Sequence, residues 1–258
     1  MEQQRQEYAA YSPVFWRPAK NVIDLHAQFL RGLISSETTI ALRTDGGFII
    51  CQRRGDEGFV DDFAVKQPGS GNGDGAALLL AVADRLRVMD HPAELRVVTA
   101  HADQPKLSML ASLSLRLVEQ WWVRELRPVA QSAVPGRITG PGFSGLFGPA
   151  PPVYDPGGLV FLAKRVGEDA DIAVIEHQAA ALGAVLAIVP AAPGTIRADE
   201  LQQQGWRVAP DWYLGSPVSP ATPRVRRSDG SSDRAPTSMS AWERLYIREP
   251  EWLQVCCQ

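Results

Sequence analysis

The chain has 258 residues, 45% of them hydrophobic and 21% charged, the composition of a globular protein with room for one large domain or two small ones. Its formal net charge of −3 supplies no overall pull toward nucleic acid, and no apolar run approaches the roughly 20 residues that span a bilayer. Three cysteines, two of them adjacent at Cys256 and Cys257, and four scattered histidines form neither a disulfide framework nor a metal-ligand spacing. Residues 1–7 are polar and lack a signal-peptide pattern, so the expectation is a reduced, cytoplasmic protein without a structural metal.

In chain order, Val14 to Arg17 reads as a short strand closed by Pro18, and Asn21 as the cap of a helix running to about Gly32. Thr38 to Arg43 and Gly47 to Arg53 read as strands around the Asp45-Gly46 turn, with Phe59 to Val65 as a third. Residues 69–75, Gly-Ser-Gly-Asn-Gly-Asp-Gly, then place glycine at every second position ahead of a helix from Ala76 to Val88. Glycine lets a backbone approach an anion closely, and the first amides of a helix are unpaired donors at its positive end. Strand, glycine loop and helix in that order make a phosphate cradle.

Leu95 to Ala100 has the pattern of a buried strand, Lys106 to Leu113 that of a short helix, and Leu115 to Leu126 that of a strand carrying Trp121 and Trp122. Those two tryptophans alternate faces, with core packing the default for both. Residues 127–157 are dense in Pro and Gly and read as a connection. A strand at Leu159 to Leu162, a helix from Asp171 to Leu182, a strand at Val185 to Val189 and a helix at Ala198 to Gln204 follow. The Pro-, Ser- and Arg-rich residues 215–238 predict a mobile stretch, in which Arg224, Arg226 and Arg227 read as a solvated cluster.

An internal repeat links the two halves. At an offset of 91, Leu95 falls on Leu186, Leu110 on Leu201, Arg116 on Arg207, Trp121 on Trp212 and Trp122 on Tyr213. Upstream, Val65 matches Val166 at an offset of 101, so the second copy is shorter between its strand and its helix. The stretch it lacks is the glycine loop. Acidic Glu168, Asp169 and Asp171 stand in its place and would repel a phosphate.

Two phosphate motifs compete at the first loop. A P-loop needs Gly-Lys-Ser/Thr, and Gly75-Ala76-Ala77 supplies neither lysine nor hydroxyl. Gly71-x-Gly73-x-x-Ala76 satisfies a dinucleotide fingerprint, but that motif belongs to the first strand of its domain, and here three strands and a helix come before it.

The order β-α-β-β-β, glycine loop, α-β-α-β resembles the GNAT superfamily of N-acyltransferases. The segments that carry the resemblance are Val14-Phe15-Trp16-Arg17-Pro18-Ala19, Val60-Asp61-Asp62-Phe63-Ala64-Val65, Gly73-Asp74-Gly75-Ala76-Ala77-Leu78-Leu79 and the stretch from Asp103 to Leu117. It implies an α/β fold (an α+β mixed sheet), with a GNAT-like domain of splayed central strands over residues 1–126 and the connection at 127–157. A second, truncated GNAT-like unit would span 158–215, and residues 216–258 would be linker and tail. It further implies acetyl-CoA as co-substrate, with Phe63, Ala64 and Val65 along the pantetheine arm and Lys66 adding charge. Gly71, Asn72, Gly73, Asp74, Gly75 and Ala76 would hold phosphate, bordered by Asp103 and Lys106. Four positions depart from the family pattern: Ser70 stands where a basic or amide side chain opens the loop, Leu110 where a tyrosine serves the leaving thiolate, Asp103 where an asparagine ends the strand, and Ser114 where a glycine follows the helix.

Acyl transfer needs a deprotonated amine, a stabilised oxyanion and a protonated leaving group. Asp61, Asp62 and His101 are the candidate bases. The strand period of two points the aspartates to opposite faces, so at most one is expected to line the cleft; the competing reading pairs them with Arg53 or Arg54, or leaves them solvated. His101 reads as a titrating group or as a surface histidine, and Lys106 as a phosphate contact or a solvent-facing cation. The expected activity is N-acetyl transfer to a small-molecule or peptide amine by direct attack, without nucleic-acid or membrane partners and with a homodimer as an admissible assembly. The alternative is a GNAT-derived CoA-binding or structural protein without catalysis.

Overall fold

The computed structural model describes residues 2–66, 73–89, 94–129 and 134–218. Two helices lead, α1 (Glu2–Tyr11) and α2 (Val22–Ile34), followed by β1 (Thr39–Arg43), β2 (Gly47–Arg54) and β3 (Glu57–Val65). Then come α3 (Asp74–Val88), β4 (Leu95–Ala100), α4 (Gln104–Ser112) and β5 (Arg116–Glu125). The second half repeats all but the two leading helices: β6 (Gly136–Gly140), β7 (Phe143–Pro149), β8 (Leu159–Val166), α5 (Ile172–Ala181), β9 (Ala184–Ala191), α6 (Ile196–Gln203) and β10 (Arg207–Gly215).

All ten strands form one mixed sheet in the order β1-β2-β3-β4-β10-β5-β9-β8-β7-β6. Only β3–β4 and β8–β9 run parallel, each joined through a helix, as parallel neighbours require. From either edge the sequence of strands is the same, except that the last strand of each half has crossed into the other. β10 lies between β4 and β5, and β5 lies between β10 and β9. Neither half closes its own sheet.

Register places Val97, Thr99, Asp211, Gln120 and Trp122 on one face, because strand partners share a face and alternate residues return to it. On that face Leu79 and Leu86 of α3 and Leu110 of α4 share a core with Val97, while Ile175 of α5 and Leu201 of α6 share one with Trp122 and Phe161. The other face holds an aromatic core of Phe15, Trp16, Phe59, Trp121 and Trp212. Both neighbouring tryptophans, Trp121 and Trp122, are therefore core residues.

Three segments differ from expectation. Val14 to Arg17 is no strand: the chain turns there so that Phe15 and Trp16 can drive into the aromatic core, leaving only a bridge from Pro18 to Tyr154. The 127–157 connection contains the β6–β7 hairpin. Its glycines hid it, yet Gly145 is needed in a strand, since a Cβ there would meet the Leu162 carbonyl at 2.5 Å and the Phe161 ring at 2.7 Å. Residues 2–11, polar from Glu2 to Glu7, form α1, which has no buried residue of its own. The 216–258 tail lies outside the described residues from position 219 on. Among the described residues no helix is long and apolar enough to cross a membrane.

Candidate active site

β3 and β4 pair only from Gly58 to Val60 against Leu95 to Val97. On its other edge β3 follows β2 with a slip: Ile50 faces Asp62 and Cys51 faces Val60, leaving Asp61 as an extra residue. Such a bulge bends and twists its strand, and beyond it β3 parts from β4. The bulge also overturns the expected alternation. Asp61 and Asp62 do not point to opposite faces; both line one cavity, together with Tyr8, Trp16, His26 and Tyr154.

Asp61 is fully buried. Its Oδ1 accepts from Arg54 Nη2 at 2.9 Å, and that guanidinium lies 4.2 Å above the Phe59 ring. Burial pushes the Asp61 carboxyl up to about 7; Arg54 opposes the rise and Asp62 adds to it. His26 Nε2 stands 3.1 Å from the Asp62 carboxylate. Arg5 Nη2 meets His26 Nδ1 at 2.5 Å, and a guanidinium can only donate, so Nδ1 accepts and Nε2 carries the proton of a neutral ring.

The gap between the parted strands is filled by side chains. Lys106, expected at a phosphate or in solvent, is buried: its Nζ donates to Tyr8 Oη at 2.7 Å and to the Phe63 carbonyl at 3.4 Å. Burial opposes the charge on Lys106, but Tyr8 and Asp103 outweigh it and its pKa is raised. Gln4 Nε2 donates to the same Phe63 carbonyl at 3.3 Å, and Tyr8 Oη donates to Asp103 Oδ2 at 3.1 Å. Asp103 also caps α4, accepting from the Lys106 amide at 3.2 Å. The Phe63 carbonyl thus faces the gap, as a strand edge open to hydrogen bonding must.

Beside the gap, a second cavity of about 490 Å3 is lined by Gly46, Gly47, Ala64, Val65, Lys66 and Asp103. Lys66 Nζ donates to the Asp45 carbonyl at 2.8 Å. Gly73 caps α3 without a side-chain hydrogen bond, so among the described residues no cap side chain takes its first amides. Gly75 is required by packing, since a Cβ there would lie 2.6 Å from Met109 Sδ, and Ala76 belongs to the core. Asp74 is exposed at the first position of α3, against the Gly46 turn. Gly71 and Asn72 lie outside the described residues.

His101 lines neither cavity. Half exposed at the end of β4, it holds Asp211 Oδ2 through Nδ1 at 2.9 Å, and this hydrogen bond raises its pKa. The structure therefore joins Asp61 to Asp62 but leaves His101 in a separate pair on the helix-covered face. Sequence reasoning passed over Tyr8, Gln4 and His26 and read Trp16 only as part of a strand, whereas the Arg54–Asp61 pair is one that its competing reading offered. Only the buried environment of each marks it, and the nearest sequence signal was the amphiphilic Phe15-Trp16 pair.

The equivalent position in the second unit is closed differently. Arg197, which the 91-residue offset places on Lys106, donates to the carbonyls of Gly167 at 2.7 Å, Ala170 at 2.8 Å and Glu168 at 3.1 Å. Asp171 caps α5, accepting from Ala173 N at 2.8 Å. A helix cap and a carbonyl-bound guanidinium occupy the place of an anion cradle.

No family model and no curated sequence matches the chain. Solved structures similar to it include GNAT acetyltransferases. A candidate acetyltransferase from Thermoplasma acidophilum is 12% identical, with a TM-score of 0.49 over 74% of this chain and 82% of its own. A tandem GNAT protein from the clavulanic acid biosynthesis pathway is 11% identical, with a TM-score of 0.41 over 83% of this chain and 94% of its own. A GCN5-related N-acetyltransferase from Sphaerobacter thermophilus is 12% identical, with a TM-score of 0.42 over 73% and 84%. At these values they carry no argument about activity, which has to come from the geometry of this chain.

Proposed function

We propose that the chain is an acyl-CoA-dependent N-acyltransferase that moves an acetyl group from acetyl-CoA to an amine. The observation that carries this reading is the parting of β3 from β4 at the Asp61 bulge, beside the N-terminus of α3, where Gly73 makes no side-chain cap. A strand edge freed in this way offers carbonyls and amides to an amide-bearing ligand, and an open helix N-terminus favours phosphate. Phe63, Ala64, Val65 and Lys66 would follow the pantetheine arm, and the amides from Gly73 to Ala76 the phosphates. Acetyl-CoA supplies the activated thioester when bound.

The chain's own groups would manage the protons. Asp61, its carboxyl held near neutrality, would take the proton of the attacking amine. Tyr8, whose hydroxyl accepts from the Lys106 ammonium and donates to Asp103, would have to turn that O–H from Asp103 to protonate a leaving group. Attack would be direct, because Cys51 is buried and its thiol is pushed up to about 12 by that burial, the wrong direction for a nucleophile. The reaction would belong to a reduced cytoplasm, with an amine and, at most, a second copy of the chain as partners.

One observation favours a second reading, a CoA-binding or structural protein without catalysis: Tyr8, Gln4 and Lys106 fill the gap that a pantetheine arm would enter. Thermal shift with acetyl-CoA, CoA and NAD separates the readings, using both the full chain and a chain begun at Ser12. A ligand at 100 times its dissociation constant adds about 2.7 kcal/mol of stability. A shift with acetyl-CoA and turnover of an amine support the transferase. A shift without turnover over an amine panel supports a CoA-binding protein, and no shift with either CoA species in either chain removes the transferase and leaves only the structural form of the second reading.

A further inference from the structure

α1 is held on the body of the chain mainly by polar contacts. The helix has ten residues, none of them buried. Ser12 follows it and leads to Phe15 and Trp16, both anchored in the aromatic core. From α1, Gln4 reaches the Phe63 carbonyl, Tyr8 reaches Thr99, Asp103 and Lys106, and Arg5 reaches His26. The Tyr8 ring adds a contact 5.2 Å from the Trp16 ring. Water can replace each of the polar contacts, and so short a helix is marginal once detached.

Two of these contacts together imitate an amide. Gln4 Nε2 gives an N–H to the Phe63 carbonyl at 3.3 Å, and Tyr8 Oη takes one from Lys106 Nζ at 2.7 Å. The receiving groups are neighbours, with Lys106 Nζ 3.4 Å from the Phe63 carbonyl. With α1 lifted, an acceptor on β3 and an ammonium on α4 stand side by side. An extended ligand amide satisfies both, its N–H on Phe63 and its C=O on Lys106. The same helix, through Gln3, Gln4, Glu7 and Tyr11, walls the cavity of about 490 Å3 that runs along Ala64 and Val65.

We propose that α1 is a displaceable plug, an internal competitor of the amide-bearing arm of CoA, which enters as α1 swings away about Ser12. This regulation rests on the acyl-CoA reading of the site. At about 1.5 Å per residue Gln4 lies roughly 12 Å from Ser12 and Tyr8 roughly 6 Å, so the swing carries Gln4 the farther. It also frees the Tyr8 O–H from Asp103, the turn that its role toward a leaving group requires. Among the described residues the hydrogen bonds of α1 reach α2, β3, β4 and α4 but not the start of α3. A nucleotide without the arm therefore escapes the competition.

Titration calorimetry on the full chain tests this, with acetyl-CoA and with adenosine bisphosphate, the nucleotide end of CoA without the arm. Gln4→Ala removes one competing donor and should tighten acetyl-CoA about threefold. Gln6→Pro, at an exposed site within α1, breaks the helix and should tighten it about tenfold. Neither variant should change the affinity for adenosine bisphosphate. In the wild type, acetyl-CoA should speed tryptic cleavage after Arg5 about fivefold, because cleavage follows the population in which α1 is undocked. Acetyl-CoA affinity that is unchanged or weaker in both variants overturns the plug and leaves the CoA site standing; where the proline variant does not fold, Gln4→Ala decides alone. Unchanged cleavage, or an equal gain for adenosine bisphosphate, also overturns it. No binding of either ligand to any of the three chains removes the CoA reading together with the plug.

Discussion

Gln120 and Asp211, equivalent under the 91-residue repeat, stand opposite each other in the β5–β10 pair, and Gln120 Nε2 donates to Asp211 Oδ1 at 3.0 Å. A pseudo-two-fold axis passes between them. One residue further on and on the opposite face, Trp121 and Trp212 bring their rings within 5.1 Å. An aspartate in both copies would have set two carboxylates against each other; an amide and a carboxylate complement instead. The second oxygen of Asp211 holds His101, whose counterpart in the other half is Ala192, so the axis relates backbones while the polar chemistry is one-sided.

The exchange of β5 and β10 makes each half dependent on the other. A fragment ending at Leu126 keeps β4 and β5 but loses the strand between them, exposing two edges and half of the aromatic core. We expect it to yield no folded monomer, only aggregate or a two-fold dimer that mimics the intact sheet. A monomeric, cooperatively melting fragment in size-exclusion chromatography and circular dichroism would refute this.

Asp61 should make stability depend on pH. Its carboxyl is raised to about 7 in the folded chain, against about 3.9 when unfolded. Between those values the folded state holds a proton that the unfolded state has released, so stability is full below the lower value and is lost as pH rises through the upper one. At about 1.36 kcal/mol per unit the loss reaches at most about 4 kcal/mol. Urea melts at about pH 5 and about pH 8 should show the roughly 3 kcal/mol of this fall that lies between them in the wild type and not in Asp61→Asn; an equal fall in both would assign it to other groups.

Gly73 has extended backbone angles, φ −85° and ψ −174°, that any residue adopts at a helix cap. Gly73→Asp therefore leaves the fold intact and adds a side-chain cap to α3, changing stability by a few tenths of a kcal/mol. Its carboxylate also takes the amides and the positive potential that a phosphate would use. Acetyl-CoA affinity should fall more than tenfold with an unchanged melting temperature. Unchanged affinity would move the phosphate site away from α3.

Ser114 follows α4 at φ +67°, and Gly205 follows α6 at the equivalent position with φ +80°. Leu115 N closes on the Leu110 carbonyl at 3.1 Å, as Trp206 N does on Leu201 at 3.0 Å. Serine in the left-handed region costs about 1 kcal/mol that glycine avoids. Ser114→Gly should raise the melting temperature by about 2–4 °C. A lower melting temperature would mean that the serine side chain contributes more than its backbone strain removes.

Local and periodic features were legible in the amino-acid sequence: most helices and strands, the glycine loop, the repeat at offset 91 and the loss of the cradle in the second copy. Each is written in residues near one another or in a pattern that recurs. Only the tertiary structure decided that β5 and β10 change places, because hydrogen-bond partners and register are non-local and leave no period in the chain. It alone set the bulge that turns Asp61 and Asp62 into one cavity, since a single slip against Ile50 and Cys51 reverses an alternation that the sequence implies. It also brought Tyr8 and Gln4, on a helix with no apolar stripe to announce it, against Lys106 and the Phe63 carbonyl. The glycine loop pointed to an anion. The gap beside it, and what fills that gap, are consequences of how the strands part.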